Sequence, residues 1–173
     1  MKLRNNIFTA LLLTIGFVLH QITPGILGGM KFDFLLAFVF ISLLLNSNFH
    51  NAILTGLLGG LLSAMTTSFP GGQIPNIIDK LFTCLILFVV IKNIPHKKIN
   101  SFVVALIGGL GTFISGTVFL LSALLITGLP VPMGVLMVSV VLPTILVNGI
   151  GTVFVYSIVK RALKMSGVSI DQL

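Results

Sequence analysis

The sequence predicts an all-α integral membrane protein with six transmembrane helices and both termini cytoplasmic. Three observations carry this. Of 173 residues, 56% are hydrophobic and only 8% are charged, against about 25% charged in a soluble domain. The length suffices for about six spans of roughly 20 residues with short connections, and leaves no room for a separate soluble domain. Residues 1–173 therefore read as one transmembrane domain. Finally, the basic residues segregate. With six spans, Lys2, Arg4, Lys92, Lys97, Lys98, Lys160, Arg161 and Lys164 fall on one face, and only Lys31 and Lys80 on the other. Such asymmetry marks the cytoplasmic side. The net charge of +7 is thus topogenic rather than a nucleic-acid footprint.

The elements follow in order. Met1-Lys2-Leu3-Arg4-Asn5-Asn6 and the apolar run after it have the outline of a signal peptide, but no small-x-small cleavage site follows. The run is expected to be the first span, about 7–20. Ala10 and Thr14 lie four apart in it, with Gly16 nearby; small residues at that spacing share a helix face and let another helix approach. A glycine-rich connection carrying Lys31 and Asp33 leads to span two, about 34–45. Span three, about 52–66, sets Thr55, Gly59, Ser63 and Thr66 at near-helical spacing, with Gly56 and Gly60 beside them. That stripe suits close helix packing.

The stretch Thr66–Lys80 is the most polar long interruption, with two prolines, paired glycines, Asn76 and Asp79. A plain turn needs about two to eight residues, so this stretch is read as part of a binding site. Span four covers about 77–92. Span five covers about 101–127, with Gly108, Gly111, Thr112, Ser115, Gly116 and Phe119 along one face. Gly128-Leu129-Pro130-Val131-Pro132 breaks the chain, and the last span is placed at about 138–161. Residues 133–139 are left as either an outer turn or an extra helical turn. On this topology both long polar connections and the Gly128–Pro132 break share the external side, where they would cover one pocket.

The residue types exclude several chemistries. No Gly-rich loop followed by Lys-Ser/Thr is present to cradle a nucleotide. No nucleophile has a plausible base, and no cluster of metal ligands or cofactor signature is visible. The single Cys84 sits in an apolar run and forms no internal disulfide. His20, His50 and His96 lie near membrane ends, where solvated boundary residues are expected. An enzyme is not expected. Glu is absent, Asp33 and Asp79 lie in or beside loops, and Asp171 is in the tail. A carrier that couples itself to ions usually buries carboxylates in its spans, so that mechanism is disfavoured.

A small zwitterion suits the outer connections. Asp33 or Asp79 can meet an ammonium. Lys31, Lys80 or the N-terminus of a helix starting near Asn76 can meet a carboxylate. Met30, Phe32, Phe34 and Phe69 can wall an apolar side chain, and Gln73, Asn76, Thr144 or Asn148 can accept from a ring N–H. Thr67, in the same stretch, joins these candidates. Thr144, Asn148 and Thr152 recur every four residues after Pro143. Asn148 lies about 18 Å along the helix from Lys160, either as a binding residue or as interhelical glue. The plainer readings are that Asp33 caps span two, that Asp79 and Lys80 form an interfacial ion pair worth little, and that the prolines and glycines only shape turns.

Three motifs make the chain resemble a known family. They are Gly28-Gly29-Met30-Lys31-x-Asp33; Thr66-Thr67-x-Phe69-Pro70-x-Gly72-Gln73-Ile74-Pro75-Asn76-x-Ile78-Asp79-Lys80; and Pro143-Thr144-x-Leu146-Val147-Asn148. They resemble the bacterial tryptophan transport proteins of the TrpP type, over nearly the whole chain. Those proteins look like substrate-binding S components of energy-coupling factor (ECF) transporters. The resemblance implies a six-helix plasma-membrane protein that captures tryptophan from outside. It implies partners too: one transmembrane T component and two cytoplasmic ATPases, with docking through small residues on the first helix, here Ala10 and Thr14. Thr14 stands where the family pattern has a smaller residue. Two alternatives stay open: a secondary carrier of an aromatic amino acid or related nutrient that works alone, and a membrane scaffold that recruits partners.

Overall fold

The structure is a computed structural model that describes residues 2–95 and 99–165. His96, Lys97, Lys98 and Asp171 lie outside the described residues. The described chain is helical throughout, with no strand among the described residues. The helices are α1 (Lys2–Ile22), α2 (Leu35–Leu45), α3 (Phe49–Thr66), α4 (Gln73–Lys92) and α5 (Ser101–Ile126), followed by α6 (Met133–Met165). Five of them are long and apolar enough to cross a membrane. The exception is α2, whose 11 residues rise only about 16 Å against a hydrocarbon core of about 30 Å.

Although short, α2 is the hub of the bundle. Every residue from Leu35 to Leu45 is buried, and the helix touches α1, α3, α4, α5 and α6. Its apolar run has no polar face because it has no solvent- or lipid-facing side. The helices around it approach closely where glycines permit. A Cβ on Gly60 would lie 2.8 Å from Ile77 Cα, and one on Gly56 would lie 3.0 Å from Leu81 Cα, so α3 and α4 pack backbone to backbone. Away from the long connections, a polar knot ties α1, α2 and α3 together. Thr9 donates to Asn51 Oδ1 (3.0 Å), Ser42 donates to Thr9 (3.0 Å), and Asn51 Nδ2 donates to the Asn46 carbonyl (2.8 Å).

Local chemistry sets the helix ends. Asn48 caps α3 by accepting from the Asn51 N–H (2.8 Å), and Asn100 caps α5 by accepting from the Val103 N–H (2.9 Å); both satisfy a first-turn donor. Helix α4 starts at Gln73, four residues earlier than the sequence suggests. Pro75 does not prevent this, because a first-turn N–H has no intrahelical acceptor to lose. The polar interruption thus shrinks to residues 67–72, and Asp79 and Lys80 become helical. Residues 133–139 are helical too, as the first turns of α6. A π-helical turn at Met137–Val141 comes immediately before Pro143, where the ring must sit without an N–H to donate.

Three connections, 23–34, 67–72 and 127–132, meet over one end of the bundle. Gly29 has φ 78°, and a Cβ there would overlap the Ser68 carbonyl. Ser68 Oγ donates to the Gly29 carbonyl (2.8 Å). A Cβ on Gly28 would lie 2.9 Å from Pro130 Cγ, and Gly71, with φ 69°, abuts Thr127.

Candidate functional site

Beneath these connections lies a cavity of about 50 Å³. It is lined by residues of α1, α4, α5, α6, the connections at 23–34 and 67–72, and Leu36 of α2. Nine candidates from the sequence line it: Met30, Lys31, Asp33, Thr67, Phe69, Asn76, Asp79, Lys80 and Thr144. A space this size holds a few water molecules, whereas ligand pockets measure roughly 300–1,000 Å³. An amino acid with a bulky ring therefore fits only when the covering segments or their side chains shift.

One wall is ionic. Lys80 is 1% exposed, as is Asp79. The Lys80 ammonium pairs with Asp33 Oδ2 at 2.6 Å and with Asp79 Oδ2. Thr83 donates to the other Asp79 oxygen (3.1 Å). Two carboxylates therefore share one ammonium, and the group is buried because each charge has a hydrogen-bonded partner. Two expectations fail here. Asp79 is a carboxylate inside a spanning helix, so the sequence argument that no span holds one is overturned. The Asp79–Lys80 pair is likewise core and not interfacial. The reason is tertiary: Asp33 folds over to Lys80 from the connection before α2. Nor does Asp33 cap α2, whose N-cap is Phe34 with no side-chain cap bond. Burial works to raise the Asp33 carboxyl, but the Lys80 ammonium, aided by His20, outweighs it and holds the group below the usual carboxylate range.

Asp33 Oδ1, by contrast, is buried and has no hydrogen-bond partner. It faces His20 Nε2 at 3.8 Å. His20 is 4% exposed and lines the cavity, so it is not the solvated boundary residue its position suggests. Its Nδ1 lies 2.6 Å from Thr66 Oγ1. Lys31 Nζ, partly exposed at the rim, donates weakly to the His20 carbonyl (3.5 Å) and has no carboxylate partner among the described residues.

The opposite wall is aromatic and apolar. Phe69 and Phe119 meet edge to face, with ring centroids 5.2 Å apart and planes at 83°, beside Met30, Leu136, Val140 and Val141. The π-helical turn presents Val141 to the cavity one turn before Thr144. Asn76 Nδ2 donates to the Gly72 carbonyl (2.8 Å), and Thr144 Oγ1 donates to the Val140 carbonyl (2.6 Å); the acceptor oxygens of both side chains remain for another donor.

Four candidates do not line the cavity: Phe32, Phe34, Gln73 and Asn148. Gln73 is exposed on the first turn of α4. Asn148 is 1% exposed and lies behind the wall. Its Nδ2 donates to the Asp33 carbonyl (2.9 Å) and to Thr112 Oγ1 (3.1 Å), so it fastens the Asp33 backbone to α5 and α6. Sequence reasoning missed His20, Thr112, Ser115 and Phe119 as lining residues. The last three were visible as one face of α5, at i, i+3 and i+7, but nothing in the spacing alone separates a packing face from a binding face. Ala10 and Thr14 are exposed on the outer side of α1, and Thr14 Oγ1 is bonded back to the Ala10 carbonyl (2.8 Å).

The family described as "Tryptophan transporter TrpP" matches residues 2–164. A probable tryptophan transport protein of Clostridium acetobutylicum is 44% identical over 95% of this chain and 96% of its own length. Relatives of the same description are 40% identical in Clostridium perfringens, over 97% of this chain and all of the relative, and 41% identical in Bacillus subtilis, over 96% of each. No solved structure matches the chain.

Proposed function

The chain belongs to the tryptophan transporter TrpP family, and from that premise we propose that it is the tryptophan-binding S component of an ATP-driven ECF transporter. It is a multi-pass protein of the bacterial plasma membrane. The observation that carries the binding reading is the two-walled cavity, with ionised groups on one side and a pair of perpendicular phenyl rings on the other. The formal charges of Asp33, Asp79, Lys31 and Lys80 sum to zero, which matches a zwitterion that brings no net charge into a low-dielectric site. The ligand ammonium goes to Asp33 Oδ1, which lacks a partner, and its carboxylate to Lys31, because Lys80 is already neutralised by two carboxylates. The indole lies against Phe69, Phe119 and Met30, with Asn76 or Thr144 accepting from the ring N–H. Coupling to a T component and ATPases is supported by the accessible Ala10–Thr14 face and by a sequence without a nucleotide-binding loop of its own.

The protein contains no tryptophan, so indole emission reports only the ligand. Titrating purified protein in detergent with tryptophan should give a saturable blue shift. Phe119→Ala should weaken it about tenfold or more, from the lost aromatic contact. Titrations in which neither tryptophan nor any other aromatic amino acid saturates would remove the binding reading. A second reading is favoured by Asp79, since an ionisable residue inside a span often serves coupling: a secondary carrier that works alone. Tryptophan accumulation in vesicles containing only this protein, without ATP, would establish it over the ECF reading.

A further inference from the structure

We propose that His20 and the ligand ammonium occupy Asp33 Oδ1 in turn, so that binding at low pH displaces one proton from His20. The inference rests on the proposed binding of an amino acid in this cavity. Thr66, the last residue of α3, spends its single hydroxyl hydrogen on the Leu62 carbonyl (2.9 Å). With that hydrogen on Leu62, the hydroxyl oxygen 2.6 Å from His20 Nδ1 accepts from it, and on this proposal the ring is the Nδ1–H tautomer. The site left to titrate is Nε2, which faces Asp33 Oδ1 at 3.8 Å.

That oxygen is buried and lacks a hydrogen bond, while Oδ2 of the same carboxylate is taken by Lys80. A cation on Nε2 and an incoming ammonium thus compete for one acceptor, and two positive charges at that spacing repel in a medium that screens poorly. The other charged groups facing His20 are Lys31, from the same connection as Asp33, and Lys80 of α4; from α3 comes the Thr66 hydroxyl. When the ligand enters, the Nε2–H bond breaks and its proton passes to solvent, leaving a neutral ring.

Linkage gives the sign and the size. Below the His20 transition, affinity for tryptophan should fall up to tenfold for each pH unit. Calorimetry of the wild-type protein in buffers of differing ionisation enthalpy should show nearly one proton released per ligand there, and none well above the transition. Indole-3-propionate, which lacks the ammonium, should release no proton. In His20→Gln the apparent Kd should stay flat over the range where the wild type changes. A readout independent of any ligand is the imidazole titration followed by NMR, assigned by the loss of one signal in His20→Gln: Asp33→Asn should move it to lower pH. A pH-independent Kd in the wild type, an unchanged profile in His20→Gln, or an unmoved imidazole titration in Asp33→Asn would each overturn the inference alone. Absence of tryptophan binding at every pH would overturn the binding reading and this inference with it.

Discussion

Lys80 is an ammonium held 1% exposed inside an apolar bundle, and it stays there because Asp33 and Asp79 both bond to it. Removing the cation leaves two buried carboxylates facing each other. Replacing one member of a buried pair costs about 3–5 kcal/mol, so Lys80→Met should lower the unfolding midpoint in detergent sharply; an unchanged midpoint would show that the pair is not structural. The sequence shows Asp79 and Lys80 as neighbours, and that is all it can show. An adjacent acid and base look alike whether they sit at an interface or in a core, and the choice is made by Asp33, which arrives from a distant connection. Asn148 teaches the same lesson from the other side. Its polarity in an apolar span marks it as singular, yet whether its amide meets a ligand or the Asp33 carbonyl depends on how α5 and α6 turn relative to that connection. His20 was misjudged because a position near a helix end says nothing about which way the ring points.

At the scale of elements, the apolar runs were enough to place helices but not their starts: α3 begins at Phe49 and α4 at Gln73, each before the expected span. The connections were harder, since their backbone contacts are made with each other and not with their neighbours in sequence. Gly28, Gly29 and Gly71 read as turn formers, and they are that. They also let the segments touch, because any side chain there would push 23–34 away from 67–72 and 127–132. On the proposed binding reading, a cavity of about 50 Å³ makes this contact the gate that an indole would part. A Cβ on Gly25 would lie 2.8 Å from Ser68 Oγ, so cysteine side chains at these two positions would meet. Joining Gly25→Cys to Ser68→Cys should therefore slow tryptophan association more than tenfold when oxidised, with recovery on reduction. Cys84 is fully buried and does not interfere. Equal association rates in both redox states would mean that the ligand enters elsewhere.

For the whole molecule, the cavity and the proposed docking face are separated. The cavity opens under the three connections, while Ala10 and Thr14 face outward from α1, among exposed Ile7, Leu11 and Val18. Ala10→Trp should accordingly leave tryptophan binding in detergent intact yet cut ATP-dependent uptake by cells at least tenfold, through steric block of a close helix approach. Normal uptake would move the docking surface off this face. Six apolar segments were countable from composition, but not that one of them would be enclosed by the rest. That enclosure bears on biogenesis. A segment of 11 residues is too short to partition into lipid unaided as a translocon releases it. It is held by its contacts with α1 and α3, so a nascent chain truncated before α3 would present an unclaimed greasy stub for proteolytic quality control.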